Sequence, residues 1–287
     1  MTIDNFDSRF FKTSQGLKLH YRFSHQPKSN QVCILLHGFM NDSAIFLPLM
    51  QKLKTQFNLI AIDFRGHGES DWDSNTQYSH QDLVQDLNEF IAQFDYEQWH
   101  FIGHSLGARV ALLYNMYYQY QPASMVLVDT GPITNRAGSE KVRHDAEKIP
   151  QFFKSHEDYF CFLRLQYFLA DEKRLRNWSL YGLKKINNNY QLRTDPKFVQ
   201  ALWSKNENNQ STLISAQEDK IWQALHHLVC PTLVIRGQAS AILSQNVAEK
   251  MRSTLKQGQL IIIEKAGHAV PLDNPKAFEN SIEKFYM

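Results

Sequence analysis

The stretch Ile102-Gly103-His104-Ser105-Leu106-Gly107 closes an apolar run and opens a helical run of small residues. It therefore predicts a Gly-x-Ser-x-Gly pentapeptide at a strand-to-helix turn, the nucleophile elbow. The turn is tight enough to force its serine into strained backbone geometry, and side chains two residues to either side would collide with it, which accounts for Gly103 and Gly107. Ser105 is predicted to stand at the C-terminal end of the strand. A serine hydroxyl is a poor nucleophile unless a base, an orienting acid and oxyanion donors converge on it.

The base is expected late in the chain, on a loop after the last strand. Glu264-Lys265-Ala266-Gly267-His268 follows the apolar run Leu260 to Ile263 and precedes Pro271, Pro275 and a terminal helix, so His268 is the candidate. An imidazole, with an unperturbed pKa of about 6.5, can accept the serine proton and return it to a leaving group near neutral pH. The chain has 12 histidines, and His20, His25, His80, His226 and His227 are assigned surface or packing roles. The oxyanion donors are expected to be the backbone N–H of Leu106, directly after the serine, and that of Phe39, after His37-Gly38. His37 is expected to orient its loop, His104 to pack beside the elbow, and Asp63-Phe64-Arg65-Gly66-His67-Gly68-Glu69-Ser70 to form a structural turn.

The chain has 287 residues, 43% of them apolar, enough for one large α/β core with an insertion. Its 31 basic and 29 acidic residues leave a formal charge of +2, which gives no electrostatic case for binding nucleic acid or a membrane surface. The expected partner is a small molecule. Cys33, Cys161 and Cys230 are isolated and form neither a metal cluster nor a disulfide framework. No cofactor or metal is expected. Neither a leader-like N-terminus nor a membrane-spanning apolar run is evident, and the expected location is cytoplasmic.

Phe10 to Thr13 and Leu17 to Phe23 flank Ser14-Gln15-Gly16 and predict an opening antiparallel hairpin. Short apolar runs at Val32 to Leu36, Leu59 to Phe64, His100 to Gly103, Met125 to Val128, Thr232 to Ile235 and Leu260 to Ile263 then predict strands. The clearest helices between them are Ala44 to Leu53 and Gln81 to Phe94. Continuous apolar strands alternating with amphipathic helices point to a parallel sheet covered on both faces. Between Pro132 and about Lys220 the strand pattern stops and aromatics accumulate, among them Phe152, Phe153, Tyr159, Phe160, Phe162, Tyr167, Phe168, Trp178 and Tyr181. This predicts a helical insertion over the strand ends, with Asn187-Asn188-Asn189 as a polar loop.

Taken in order, the elbow, His37-Gly38, the Asp63 to Ser70 turn, Val128-Asp129-Thr130-Gly131-Pro132 and Ala266-Gly267-His268 resemble the α/β-hydrolase superfamily, in its lidded branch, over essentially the whole chain. Each motif alone is common, whereas their joint occurrence in this order is specific. The resemblance implies an α/β fold: an eight-stranded, mostly parallel sheet flanked by helices, with a helical lid after the sixth strand. Residues 1–131 and 221–287 would form the core and 132–220 the lid. Epoxide- and haloalkane-hydrolysing members carry aspartate at the elbow, so Ser105 resembles the esterase, lactonase, thioesterase and C–C hydrolase members.

In these relatives the triad acid usually follows the seventh strand, here Thr232 to Ile235. Arg236-Gly237-Gln238-Ala239-Ser240-Ala241-Ile242-Leu243-Ser244 resembles a subgroup pattern with aspartate after that serine, but this chain has Ala241 and no Asp or Glu in the segment. Three readings stay open. Ala241 replaces a native aspartate in an inactivated variant, the acid is Asp129 after the sixth strand, as in some relatives, or the chain is a natural pseudo-enzyme. A rescue of activity by Ala241→Asp is the expectation.

The leading function is hydrolysis of a carboxylic ester or related acyl bond of a small, largely apolar substrate through an acyl-enzyme on Ser105. The alternatives are C–C bond hydrolysis or lyase chemistry at the same site, and small-molecule binding on a degenerate hydrolase scaffold. The aromatic-rich insertion suggests an enclosed apolar pocket, or simply a core of its own.

Overall fold

A computed structural model describes residues 6–133, 135–203 and 210–287. The core strands are β1 (Asp7–Lys12), β2 (Lys18–Ser24), β3 (Gln31–Leu36), β4 (Asn58–Ile62), β5 (Gln98–His104), β6 (Ser124–Val128), β10 (Pro231–Gly237) and β11 (Gln257–Ile263). They form one eight-stranded sheet in the order β1-β2-β4-β3-β5-β6-β10-β11. The β1–β2 and β2–β4 pairs are antiparallel and every other pair is parallel. The expected opening hairpin is present, with Gly16 in the left-handed region at its turn.

The two faces of the sheet are read off β3 with a period of two. Val32, Ile34 and Leu36 pack with α2 (His80–Ile91), α3 (Leu106–Tyr118), the C-terminal part of α8 (Gln210–His227) and α9 (Gln245–Thr254). Cys33 and Leu35 pack on the other face with α1 (Leu47–Leu53) and α11 (Pro275–Tyr286). Burying each such Leu, Ile or Val side chain contributes about 1.5–3 kcal/mol. Where the sequence predicts one helix from Ala44 to Leu53, a 3₁₀ turn (Ser43–Phe46) capped by Asp42 leads into α1. Helix α2 starts at Ser79, whose hydroxyl accepts from the Asp82 N–H while the Asp82 carboxylate accepts from the Ser79 N–H, a capping box.

The insertion after β6 departs from the wholly helical layer predicted above. It contains α4 (Arg136–Glu147), β7 (Phe152–Phe153), α5 (His156–Gln166), α6 (Glu172–Tyr181), β8 (Leu183–Ile186), β9 (Asn189–Leu192) and α7 (Pro196–Trp203). The three short strands form their own antiparallel sheet in the order β7-β9-β8. Asn187-Asn188 is the turn of the β8–β9 hairpin, with Asn187 at φ 53°, a conformation asparagine tolerates. The buried pair Leu183 and Leu192 faces inward across that hairpin. The expected boundary between 220 and 221 falls inside α8, whose Ile221, Ala224 and Leu225 belong to the main core.

Phe153, Tyr159, Phe160 and Trp178 bury in a separate cluster with Leu163, Leu175, Leu183 and Leu192. These aromatics therefore build the insertion's own core. That cluster also takes in Met40, just after Phe39, and Leu272, in the short helix α10 (Val270–Asp273) after His268. The insertion is thus seated on both loops that flank the candidate serine and histidine. Among the described residues no helix is long and apolar enough to cross a membrane.

Candidate active site

Ser105 stands between β5 and α3 with φ 50° and ψ −110°, backbone strain held in place by its surroundings. A Cβ on Gly107 would lie 2.1 Å from the Leu36 carbonyl oxygen, and one on Gly103 2.4 Å from the Ala108 backbone. Neither position admits a side chain, because the elbow brings α3 into direct backbone contact with β3 and closes tightly on itself. No side-chain hydrogen bond caps α3, so its first turn presents the N–H of Leu106 beside the serine with the positive end of the helix dipole.

The Ser105 hydroxyl lies 3.0 Å from Nε2 of His268. On the other side of the ring, Nδ1–H donates to Oδ2 of Asp129 at 2.7 Å. Asp129, at the end of β6, is fully buried and itself has a positive φ of 47°. Its second oxygen, Oδ1, accepts from the Gly237 N–H at 2.9 Å, and Ser240 Oγ donates to Oδ2 at 2.5 Å. The structure therefore brings together Ser105, His268 and Asp129 from three separate parts of the chain. Ala241 lies exposed in the loop after β10, and the position an acid there would fill at Nδ1 is taken by Asp129. Of the two positions weighed for the acid, Asp129 is the one whose carboxylate is hydrogen-bonded to the His268 ring.

The loop carrying Phe39 is fixed from behind by histidines. His37 accepts from the Phe64 N–H through Nε2 at 3.0 Å and donates from Nδ1 to the Gly38 carbonyl at 2.8 Å. Burial lowers its pKa, and both hydrogen bonds fit the neutral ring. Beside it, His67 Nε2 accepts from the Met40 N–H, with burial pushing the imidazole down to about 3. Phe39 stacks on Phe198 of α7 at 5.7 Å, and Phe198 also packs edge-on to His67 at 4.5 Å. The Asp63 to Ser70 turn is a brace, as expected. Asp63 Oδ1 accepts from the Ser43 N–H, while Oδ2 accepts from the Glu69 N–H and from His20 Nδ1. Burial raises the Asp63 pKa, but the His20 hydrogen bond and charge overcome it and hold the carboxyl well below the usual range.

His104 donates from Nε2 to the His268 carbonyl at 2.9 Å, tying the elbow to the histidine loop. Burial, then the neighbouring charge of His268, pushes its pKa down to about 3. Three contributors escaped the reading of the sequence. Gly237 and Ser240 hold Asp129, and Asp273 accepts the Gly267 N–H at 2.7 Å beside His268. The Ser240 signal lay in the very segment searched for an acid, as a hydroxyl rather than a carboxylate. Among the described residues no group of three His, Cys, Asp or Glu side chains is placed to hold a metal ion.

The chain is 25% identical over 264 residues to the 2-(acetamidomethylene)succinate hydrolase of Mesorhizobium japonicum, covering 90% of this chain and 88% of that protein. It is 24% identical to a putative 2-succinyl-6-hydroxy-2,4-cyclohexadiene-1-carboxylate synthase of Bacillus subtilis (90% and 91%) and 21% identical to human monoacylglycerol lipase ABHD6 (89% and 75%). The crystal structure of E-2-(acetamidomethylene)succinate hydrolase superposes with a TM-score of 0.83 at 22% identity, covering 98% of this chain and 99% of that one. The alpha/beta hydrolase fold family matches residues 32–275, the span that carries the elbow, both candidate oxyanion positions, Asp129 and His268. The chain belongs to the alpha/beta hydrolase family.

Proposed function

We propose that this protein is a serine hydrolase that cleaves a carboxylic ester or related acyl bond of a small, largely apolar substrate through an acyl-enzyme. The observation that carries the reading is the unbroken chain from Ser105 Oγ through the His268 ring to Asp129, at 3.0 and 2.7 Å. In the first step His268 takes the serine proton as Oγ bonds to the acyl carbon, and Asp129 holds the ring and stabilises the imidazolium. The oxyanion is received by the N–H groups of Leu106 and Phe39. The imidazolium then protonates the leaving alcohol, and water, deprotonated by the same nitrogen, releases the acid and regenerates Ser105. The insertion, seated on Met40 and Leu272, acts as the lid.

A second reading uses the same serine and histidine for C–C or related cleavage of a carboxylate substrate. It is favoured by the names of two relatives, one a hydrolase of a succinate derivative and the other a putative carboxylate synthase. The pseudo-enzyme reading loses its motive once His268 has a carboxylate partner. A serine-directed fluorophosphonate should label Ser105, and p-nitrophenyl butyrate should be hydrolysed by the wild type and not by Ser105→Ala. Labelling that persists unchanged in Ser105→Ala defeats the proposal.

A further inference from the structure

We infer that Ser240 is a positioning residue for the triad, and that the loop after β10 holds an acid instead of bearing one. The inference rests on the serine hydrolase reading above. The Ser240 hydroxyl has one proton and two acceptor sites, and the structure uses all three. Its oxygen accepts from the N–H groups of Ile242 and Leu243, each at 3.1 Å. That leaves the proton directed at Oδ2 of Asp129, 2.5 Å away, the same oxygen that accepts from His268.

The loop is built to keep that hydroxyl still. Arg236, buried at the end of β10, donates from Nε to the Leu243 carbonyl at 2.8 Å and from Nη1 to the Gln238 carbonyl at 3.0 Å. Its guanidinium thus spans the loop from one end to the other, from inside. The Gly237 N–H fixes the other carboxylate oxygen at 2.9 Å. Asp129 is therefore gripped through both oxygens by donors from residues 237 and 240, which offsets the cost of burying its charge and sets the plane in which it meets the imidazole. This gives the segment Arg236 to Ser244 a use that requires no carboxylate within it. It also separates Ser240 from its neighbour, since Ala241 points no functional group at the site.

Ser240 also tempers the charge that His268 feels. A donor on Oδ2 spreads the negative charge of the carboxylate, so removing it leaves a stronger anion facing the ring. Loss of a hydrogen bond to a charged group corresponds to roughly a ten- to hundredfold effect.

The test is p-nitrophenyl butyrate hydrolysis by the full chain across pH, with fluorophosphonate labelling of Ser105 as a second readout. Ser240→Ala should lower kcat by about ten- to hundredfold with KM nearly unchanged. Ser240→Thr, which keeps the hydroxyl, should restore kcat. Should Ser240→Ala fail to fold, Ser240→Cys carries the same two measurements with a weaker donor. Unchanged kcat in a folded variant overturns the inference, as does a folded Ser240→Thr whose kcat stays as low as that of Ser240→Ala. Asp129→Asn separates this failure from a wider one. If it cripples turnover while Ser240→Ala is silent, only the role of Ser240 falls, and if it leaves turnover at the wild-type level, the triad reading falls and this inference with it.

Discussion

Asp129 and His268 stand 139 positions apart in sequence and 2.7 Å apart in space, so the imidazole of this chain already has its carboxylate. Introducing a second one should not help. Ala241→Asp is predicted to leave ester turnover at or below the wild-type level, because the new carboxylate would sit in an exposed part of the loop and compete at best for a ring nitrogen already bonded. A rise of orders of magnitude in p-nitrophenyl butyrate hydrolysis would return the acid to the loop after β10.

Asp129→Asn should be the damaging change. An amide at this position can present an N–H to Nδ1 and select the wrong tautomer. In the serine-protease triad, neutralising the acid costs turnover about four orders of magnitude. A loss of that order in kcat, with the fold unchanged by circular dichroism, is the expected result, and a loss smaller than tenfold would show that Asp129 only braces the turn.

The elbow, the two candidate oxyanion positions and His268 were legible because each depends on a short run of residues with fixed local mechanics. Ser105 needs glycines two residues either side, and His268 needs a loop after a strand. The acid was ambiguous for a physical reason. A carboxylate can reach Nδ1 from the end of β6 or from the loop after β10, since those strands are adjacent and parallel, and only the side-chain hydrogen bonds distinguish them. The β8–β9 hairpin was missed because Lys184, Lys185 and Gln191 interrupt any apolar run, leaving Asn187 and the buried pair Leu183 and Leu192 as its signals. The eight-stranded, mostly parallel sheet, by contrast, followed from the resemblance once strands and helices alternated.

His104 and His268 should respond differently to substitution although their rings lie 5.2 Å apart. His268→Ala removes the base and should abolish turnover. His104→Gln can keep a side-chain donor to the His268 carbonyl and should lower kcat by less than about tenfold, as expected for a single hydrogen bond to a neutral acceptor. Equal losses in the two variants, measured on one substrate at one pH, would undo this division of roles.

The buried histidines set an acid limit on stability. Burial lowers His104 and His67 from 6.5 to about 3, so the unfolded chain binds those protons first as pH falls. Their neutral forms contribute stability that is fully present above pH 6.5 and lost progressively as pH drops toward 3. Urea midpoints should therefore fall steadily below pH 6.5. His104→Gln should flatten part of that slope, and a slope identical to wild type would mean that His104 is not buried uncharged.

The seat of the insertion on the loop that carries Phe39 can be probed at Phe198. This ring is fully buried and packs on Phe39, His67 and Tyr78, while Asp195, one turn earlier, accepts a 2.5 Å hydrogen bond from the Tyr78 hydroxyl. Phe198→Ala deletes the surface on which Phe39 stacks and should cost about 3–5 kcal/mol in unfolding free energy, the usual range for such a truncation. If the packing also fixes the N–H of Phe39, kcat should fall in the fraction that remains folded, because an oxyanion donor that wanders by a fraction of an ångström stabilises the transition state less. Phe198→Leu keeps part of the apolar contact and should show a smaller loss in both quantities. Comparing kcat at a temperature well below each variant's melting transition separates the two effects. Stability lost with kcat intact would mean that α7 supports the fold without positioning the oxyanion donor.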